Sequence, residues 1–360
     1  MKKVNSNLYP IASGVCYNEV MANMEYFWKK RRLVYFLMAL LVIFVHNSAV
    51  EQYSSLSGDL WMDIAELMKN FFAYGIGSVA VPMFFIISGM TFFRDYEPKK
   101  YGQKMKSRIK TLVIPYLVWN VLGMVFVILC TYTPIRNIVS SREMFSFSLQ
   151  NILEGIFLYK YNYTFWFMFE LIIFVLVTPI FDIITRNKWI GWAATLASLP
   201  LVMVNMQVNL GFVTFYLIGC MLGRHYLPLM AKKLSQSQSS VGLIGVILLT
   251  TIKMLSIYGV IILPEVIQQI ILILLCAGVW MMADMIVDRI KPRKIMDETF
   301  LIYAIHPYLI AAITKIIYLV LPKIPAMAVV NFSMSYVLTV VVTGAVIVGW
   351  RRVHLRFKSA

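Results

Sequence analysis

Residues 31–50 read RRLVYFLMALLVIFVHNSAV, two arginines followed by eighteen residues without a formal charge. A helix needs about 20 mostly apolar residues to cross the hydrocarbon core of a bilayer, and this stretch has that character. Residues 1–28 lack the short apolar core of a cleaved signal peptide. We therefore expect the stretch to remain in the protein as its first membrane span.

The composition extends this interpretation to the whole chain. Hydrophobic residues make up 60% of the 360 residues and charged residues only 14%, whereas soluble domains carry about 45–50% and about 25%. This balance excludes a soluble enzyme, and it also excludes a disordered chain, which would be poor in hydrophobic residues. The apolar runs are continuous rather than alternating, which disfavours a β-barrel. The chain is predicted to be an all-α, polytopic membrane protein.

The same length criterion predicts about ten transmembrane helices. They lie near residues 33–50, 74–93, 112–131, 165–184, 189–205, 211–227, 241–258, 267–285, 299–320 and 329–350. The domain organisation that follows is a cytoplasmic N-terminal tail over 1–30, a transmembrane domain over 31–350 and a basic cytoplasmic tail over 351–360.

The charge distribution predicts the orientation. The chain carries 33 Lys and Arg against 17 Asp and Glu, a net charge of +16. With ten spans and the N-terminus inside, 26 of the 33 basic residues fall on the inner side, as the positive-inside rule requires. We therefore expect both termini in the cytoplasm and no nucleic-acid partner. The four cysteines are scattered, so we predict neither a disulfide framework nor a metal site.

Span 1 places polar groups on one face. Arg32 and His46 are 14 residues apart, which is about 40° short of four full turns and about 21 Å along the axis. Tyr35 lies within about 20° of the same stripe. Arg32 is either an anchor at the inner membrane boundary or part of a polar site. His46, which is followed by Asn47, is either an interfacial histidine or a group that lines a cavity.

Two further spans interrupt their apolar runs with polar residues. Ser88 follows a proline and precedes a glycine in VPMFFIISG, residues 81–89, where it either packs or hydrogen-bonds to a neighbouring helix or a substrate. His306 lies near the inner third of span 9, between Tyr303 and Pro307. Because Pro307 disrupts the helical hydrogen-bond ladder, a polar cavity is expected beside it.

The outer loop that ends at span 4 is aromatic. Trp166 opens the sequence WFMFE, and Glu170 closes it. The aromatic residues form either an interfacial belt or a platform on which a sugar stacks, and the base rate favours the belt. Glu170 is either an interfacial carboxylate or a group that lines a cavity.

The inner segment 94–110 contains seven cations, among them Lys104, Lys106 and Arg108. Such a cluster either binds anionic lipid headgroups or holds the phosphates of a nucleotide-like cofactor. Composition alone favours lipid.

Taken together, these stretches resemble the membrane acyltransferase-3 family, the bacterial integral-membrane O-acyltransferases. The resemblance runs from about residue 31 to 350. It rests on the His46 end of span 1, Phe84-Phe85-x-x-Ser88-Gly89, Arg108 with Pro115-Tyr116, and Ile302-Tyr303-x-x-His306-Pro307, supported by Trp166-Phe167 and Phe215–Gly219.

The resemblance implies an enzyme of the bacterial inner membrane that moves an acyl group, commonly acetyl, from cytoplasmic acyl-CoA. The acceptor is a hydroxyl of a cell-envelope glycan or a lipid-linked saccharide. It implies His46 as the catalytic base and a CoA-phosphate site that includes Arg108. No residue stands out as an acyl-enzyme nucleophile, so direct transfer without a metal is expected. We expect the CoA site to contain Arg32, Lys104, Lys106 and Arg108, and the substrate cavity to contain Tyr35, Asn47, Ser88, Trp166, Glu170, Tyr303 and His306.

The chain departs from the family pattern at one position. The family usually has an arginine where this sequence has Tyr35, and the nearest candidate on that face, Arg32, lies one turn earlier. Two alternative functions therefore stay open, an oligosaccharide or polysaccharide exporter and a non-catalytic partner of a polymer synthase. The sequence gives no indication of oligomeric state.

Overall fold

The protein is helical throughout the part of the chain that the computed structural model describes, residues 17–133, 144–204 and 209–359. The first sixteen residues of the predicted N-terminal tail lie outside that part, and from Tyr17 onwards the tail is already helical. The α-helices of the described residues are α1 Tyr17–Val45, α2 Leu60–Lys69, α3 Ala80–Phe93, α4 Tyr101–Arg108, α5 Ile114–Tyr132, α6 Leu149–Phe157, α7 Trp166–Leu176, α8 Thr178–Arg186, α9 Lys188–Ala197, α10 Phe212–His225, α11 Leu227–Ala231, α12 Gln236–Ile257, α13 Glu265–Met282, α14 Thr299–Val320 and α15 Ala326–Ser359.

Seven continuous helical stretches among the described residues are long and apolar enough to cross a membrane, and α7 with α8, bent by 62°, adds an eighth. The seven are Glu19–Leu56, Leu60–Phe93, Pro98–Tyr132, Gln236–Ile257, Glu265–Met285, Thr299–Val320 and Ala326–Arg352. The prediction of an all-α, multi-pass membrane protein is confirmed. Helices also occupy the two remaining predicted spans, but α9 has only 10 residues and α10 only 14.

The chain divides into two compact units. The first comprises Met1–Asp95, Thr185–Met206 and Leu210–Ala360, and the second comprises Tyr96–Ile184 and Gln207–Asn209. The first unit therefore contains α1–α3 and α9–α15, and the second contains α4–α7 with most of α8.

Within the first unit, α3 and α10 pack backbone to backbone. A Cβ on Gly89 would lie 2.5 Å from the carbonyl oxygen of Tyr216, and a Cβ on Gly219 would overlap the carbonyl of Ile86. Small residues allow this close approach between membrane helices. Nine of the 14 residues of α10 are buried, so protein rather than lipid surrounds much of this helix. Its length is therefore not set by the thickness of the bilayer.

A buried ion pair connects α1 to the end of α13. Lys30 Nζ lies 2.8 Å from an Asp284 oxygen, and neither side chain is more than 1% exposed. Asp284 also accepts hydrogen bonds from the Tyr26 hydroxyl at 2.5 Å and from the Leu234 amide at 3.2 Å, and the Lys30 ammonium lies 4.6 Å from the Trp280 ring centroid. Removing one partner of such a pair typically costs about 3–5 kcal/mol. Asp284 is thus part of the buried core.

The second unit is built around α5 and the short helix α6. The hydroxyl of Tyr116 donates to the carbonyl of Phe157 at 2.8 Å, and the amide of Asn120 donates to the carbonyl of Ile156 at 3.1 Å. After α6, the Lys160 ammonium binds Glu154 at 2.6 Å and holds the pKa of that carboxyl below its ordinary value.

Candidate active site

Two histidines from distant parts of the sequence meet in the first unit. His46 directly follows α1, and His306 lies in the first half of α14. Their ring centroids are 5.2 Å apart with the planes inclined by 42°. His306 is fully buried, while His46 is partly exposed. From the sequence, His306 was expected near the inner third of span 9 and His46 towards the end of span 1. Their contact places the two rings at one level.

The hydrogen bonding of His306 fixes which ring nitrogen carries its proton. Nδ1 lies 3.1 Å from the carbonyl oxygen of Ile302, and only an N–H can satisfy a carbonyl. In a neutral ring, Nε2 is then an acceptor. It is buried and has no hydrogen-bond partner among the described residues. The Tyr303 ring packs beside it, with centroids 6.2 Å apart.

Asn47, next to His46, is bonded within the protein. Its amide nitrogen donates to the carbonyl of Phe332 at 2.9 Å. Its amide oxygen accepts from the Ala49 backbone at 3.1 Å and from the Ser335 hydroxyl at 3.3 Å. Asn47 therefore fixes the end of α1 against α15 and so supports the position of His46.

Two other predicted cavity residues are in direct contact. The Tyr35 hydroxyl lies 2.9 Å from the Ser88 hydroxyl, and the Tyr35 ring packs edge-on against Phe84 at 5.1 Å. Both contacts connect α1 to α3. Tyr35 and His46 are 11 residues apart on one stripe, which corresponds to about 16.5 Å along the axis.

Four consecutive cations, Lys29 to Arg32, lie one to two turns before Tyr35. Three of them are paired with carboxylates. The pairs are Lys29 with Asp288 at 2.9 Å, Lys30 with Asp284 at 2.8 Å, and Arg32 with Asp297 at 2.7 Å. Asp288 also binds Lys233, and these hydrogen bonds from Lys233 and Lys29 lower the pKa of its carboxyl. Arg32, predicted to bind the donor, is thus neutralised by Asp297.

Arg31 differs from its neighbours, since no carboxylate among the described residues lies within ion-pair distance of it. Its guanidinium carbon lies 4.8 Å from the Tyr35 ring centroid and 5.4 Å from that of Trp28. Its Nε is buried without a hydrogen-bond partner in the described chain. Sequence reasoning missed Arg31, although its spacing of four residues from Tyr35 was a signal that the two side chains share a face.

A cleft of about 760 Å³ opens at this end of α1. Its lining includes Trp28, Lys29, Arg31, Arg32, Tyr35 and Asp297. It combines a guanidinium that has no carboxylate partner among the described residues with two aromatic side chains, a set suited to an anionic, partly planar ligand.

The predicted basic residues of the second unit lie on α4. Lys106 is exposed, whereas Lys104 and Arg108 are partly buried, and the Lys104 ammonium lies 5.7 Å from the ring centroid of Tyr96. α4 thus presents cations at its surface.

Trp166 and Glu170 are one turn apart on α7, also in the second unit. Glu170 is only 2% exposed. One carboxyl oxygen accepts from the Asn209 backbone at 2.6 Å, and the other is buried without a hydrogen-bond partner in the described part of the chain. Trp166 is partly exposed.

The chain matches a family model described as an acyltransferase domain over residues 35–349. A helical, multi-pass chain that carries this domain over most of its length is a membrane-embedded acyltransferase. It belongs to the acyltransferase-3 family, so the family that the sequence motifs predicted is confirmed. Neither a curated protein nor a solved structure gives a match to the chain.

Proposed function

We propose that this acyltransferase moves an acetyl group from acetyl-CoA to a hydroxyl of a cell-envelope glycan or lipid-linked saccharide, in a bacterial inner membrane with both termini cytoplasmic. The observation that carries the proposal is Arg31, which has no carboxylate partner among the described residues and lines a cleft on the helix that directly precedes His46.

The cleft suits the nucleotide end of the donor. Its volume of about 760 Å³ lies within the roughly 300–1,000 Å³ of small-molecule pockets. Arg31 offers N–H groups that pair with phosphate oxygens in a bidentate manner. The Trp28 and Tyr35 rings line the same cleft beside the Arg31 guanidinium.

The length of α1 between the cleft and the histidines suits the rest of the donor. About 22.5 Å of helix axis separate Arg31 from His46, and about 16.5 Å separate Tyr35 from His46. Because the Arg31 guanidinium lies beside the Tyr35 ring, the phosphates it binds lie between these two distances from His46, a length of the order that an extended pantetheine arm spans. An acetyl-CoA with its phosphates at Arg31 then has its thioester carbonyl near His46.

His46 is the base in this proposal. A neutral imidazole accepts the proton of the acceptor hydroxyl, and the hydroxyl oxygen attacks the thioester carbonyl. The new C–O bond forms, the C–S bond breaks, and the departing CoA thiolate receives the proton from His46. The products are the acetyl ester and CoA with a free thiol, and no acyl-enzyme intermediate is needed.

The cations on α4 are proposed as a phosphate-binding surface of the second unit. Lys104, Lys106 and Arg108 lie in the second unit, and their chemistry suits CoA phosphates or anionic lipid headgroups equally well.

Ligand-induced stabilisation in detergent tests the donor site. Acetyl-CoA that binds the folded protein raises its apparent Tm. Arg31→Gln is expected to lose most of this shift, while Arg32→Gln, a matched change at a neighbouring cation of the same cleft, is expected to retain most of it. Acetyl-pantetheine, which lacks the nucleotide phosphates, should stabilise both variants and the wild type equally weakly.

Equal shifts in wild type and Arg31→Gln would remove Arg31 from the donor site. No shift in the wild type at millimolar acetyl-CoA would contradict the donor itself and favour the alternative of an oligosaccharide exporter.

A further inference from the structure

His306 contains a buried acceptor that the proposed reaction has not used. The residue is 0% exposed, and its Nε2 has no hydrogen-bond partner among the described residues. More than about nine-tenths of buried polar groups are hydrogen-bonded, and leaving one unpaired typically costs about 1–3 kcal/mol. We therefore expect Nε2 of His306, which lies beside the proposed base His46, to have a role in the reaction.

We propose that His306 is the positioning residue of His46, and that its Nε2 accepts a hydrogen bond from one N–H of the His46 ring. This inference rests on the proposed role of His46 as the base. Rings whose centroids lie 5.2 Å apart can bring one nitrogen of each within hydrogen-bond distance, since each nitrogen lies at the rim of its ring.

The direction of this hydrogen bond follows from the other nitrogen of His306. Because Nδ1–H is held by the Ile302 carbonyl at 3.1 Å, neutral His306 offers only an acceptor to His46. The partner nitrogen of His46 must then carry a proton, so the lone pair of the neutral His46 ring lies on its second nitrogen. One tautomer of His46 is thereby selected, the one that can accept the proton of a substrate hydroxyl.

The same bond persists through the reaction. When the acceptor hydroxyl transfers its proton to His46, the ring becomes an imidazolium with two N–H groups. One N–H still donates to His306, and the other returns its proton to the CoA thiolate when the C–S bond breaks. A carboxylate often orients a catalytic histidine, but an unpaired buried carboxylate is far more costly to desolvate than a neutral imidazole. A second histidine therefore fits a site inside the membrane.

Two substitutions separate the acceptor role from simple packing. His306→Gln keeps a neutral acceptor near the position of Nε2, whereas His306→Met keeps much of the volume and removes the acceptor. We expect His306→Met to lower kcat about 10–100-fold, the range found for groups that orient metal-bound histidines, with KM for acetyl-CoA unchanged. His306→Gln should recover a large part of kcat. The solvent deuterium isotope effect on kcat should rise in His306→Met, because proton transfer becomes slower.

The assay is the incorporation of labelled acetyl from acetyl-CoA into the saccharide fraction of native-host membranes that carry each variant. Thr314→Val is the control, since Thr314 is buried on the same helix and, within the described chain, its hydroxyl bonds only to the Ile310 carbonyl of its own helix. It should leave kcat and the isotope effect at wild-type values.

The tautomer of His46 provides a readout that needs no activity. The chain has four histidines, so 15N spectra of histidine-labelled protein can be assigned by single substitutions. His46 should show one tautomer in wild type and His306→Gln, and a mixture in His306→Met.

Unchanged His46 signals in His306→Met, or equal losses of kcat in the Met and Gln variants, would overturn the positioning role. Retained transfer in a variant without His46 would instead contradict the proposed function, so the two failures are distinguishable.

Discussion

At the scale of single residues, a histidine can act as a base only if its lone pair is available and its ring is held still. Asn47 fixes the chain directly after His46 through three hydrogen bonds. The ring of His306 packs against His46 from α14. The position of His46 is therefore set by groups on α14 and α15, not by α1 alone.

His46→Ala tests the base directly. General-base catalysis contributes about 10²–10⁴-fold to rate, so acetyl transfer per folded molecule should fall by at least 100-fold while the amount of folded protein in the membrane stays near the wild-type value. His225→Ala is the matched control, because His225 is a partly buried histidine that binds the Thr185 carbonyl at 2.7 Å outside the proposed site. Transfer that survives in His46→Ala would exclude His46 as the base.

Local spacing identified some site residues and not others. His46, Tyr35, Ser88 and His306 stand out because a polar residue in an apolar run is conspicuous. Arg31 does not stand out, because the helical angles place Arg31 and Arg32 about equally close to the face that carries Tyr35 and His46. The two arginines differ because Arg32 is paired with Asp297, which lies 265 residues further along the chain. No local sequence pattern reveals this pairing.

At the scale of elements, the contact between α3 and α10 determines where Ser88 lies. Because Gly89 has no side chain, one side of α3 packs directly against the backbone of α10. Its neighbour Ser88 is about 100° further round the helix, and from there it reaches Tyr35 on α1. Close packing on the side of α3 that contains Gly89 thus positions the Ser88 hydroxyl on the side that faces Tyr35.

Gly219→Ala should disrupt this arrangement. Its Cβ would overlap the carbonyl of Ile86, whereas a Cβ at Gly245 meets nothing within 4 Å. Overpacking typically costs about 1–3 kcal/mol, so the Tm in detergent should fall by several degrees for Gly219→Ala. Gly245→Ala should be neutral or slightly stabilising, since alanine favours a helix. Equal Tm values for the two variants would show that α3 and α10 can move apart without loss.

The long apolar helices were predictable because hydropathy alone determines them. The short helix α10 was not, because a buried helix of 14 residues and a membrane span have similar composition. The bend of 62° between α7 and α8 also has no counterpart in average hydropathy.

At the scale of the whole molecule, the basic residues determine the expected orientation. The 26 inner cations of the ten-span map belong to segments at both ends of the chain and between the spans. This distribution predicts a cytoplasmic side for the cleft at Arg31, the side on which CoA is available.

Cysteine labelling measures that orientation. In a Cys16→Ser background, where Cys130, Cys220 and Cys276 are buried, we expect Ser54→Cys to react with an impermeant maleimide in intact cells or spheroplasts. Ser237→Cys should react only after permeabilisation. Both positions are exposed, so accessibility within the protein is matched. Labelling of Ser237→Cys from outside would contradict the predicted sides.

The buried contact between α1 and Asp284 has a consequence for how the chain is made. Tyr26 and Asp284 are separated by 258 residues, so at about 5–20 residues per second the ribosome supplies the carboxylate roughly 13–50 s after the tyrosine. Throughout that interval Lys30 has no Asp284 to pair with, and its ammonium must stay in the hydrated headgroup layer. Lys30 can therefore take its buried position only after residue 284 has been synthesised, and a nascent chain that stalls before that point keeps this lysine hydrated and the first helix incompletely packed.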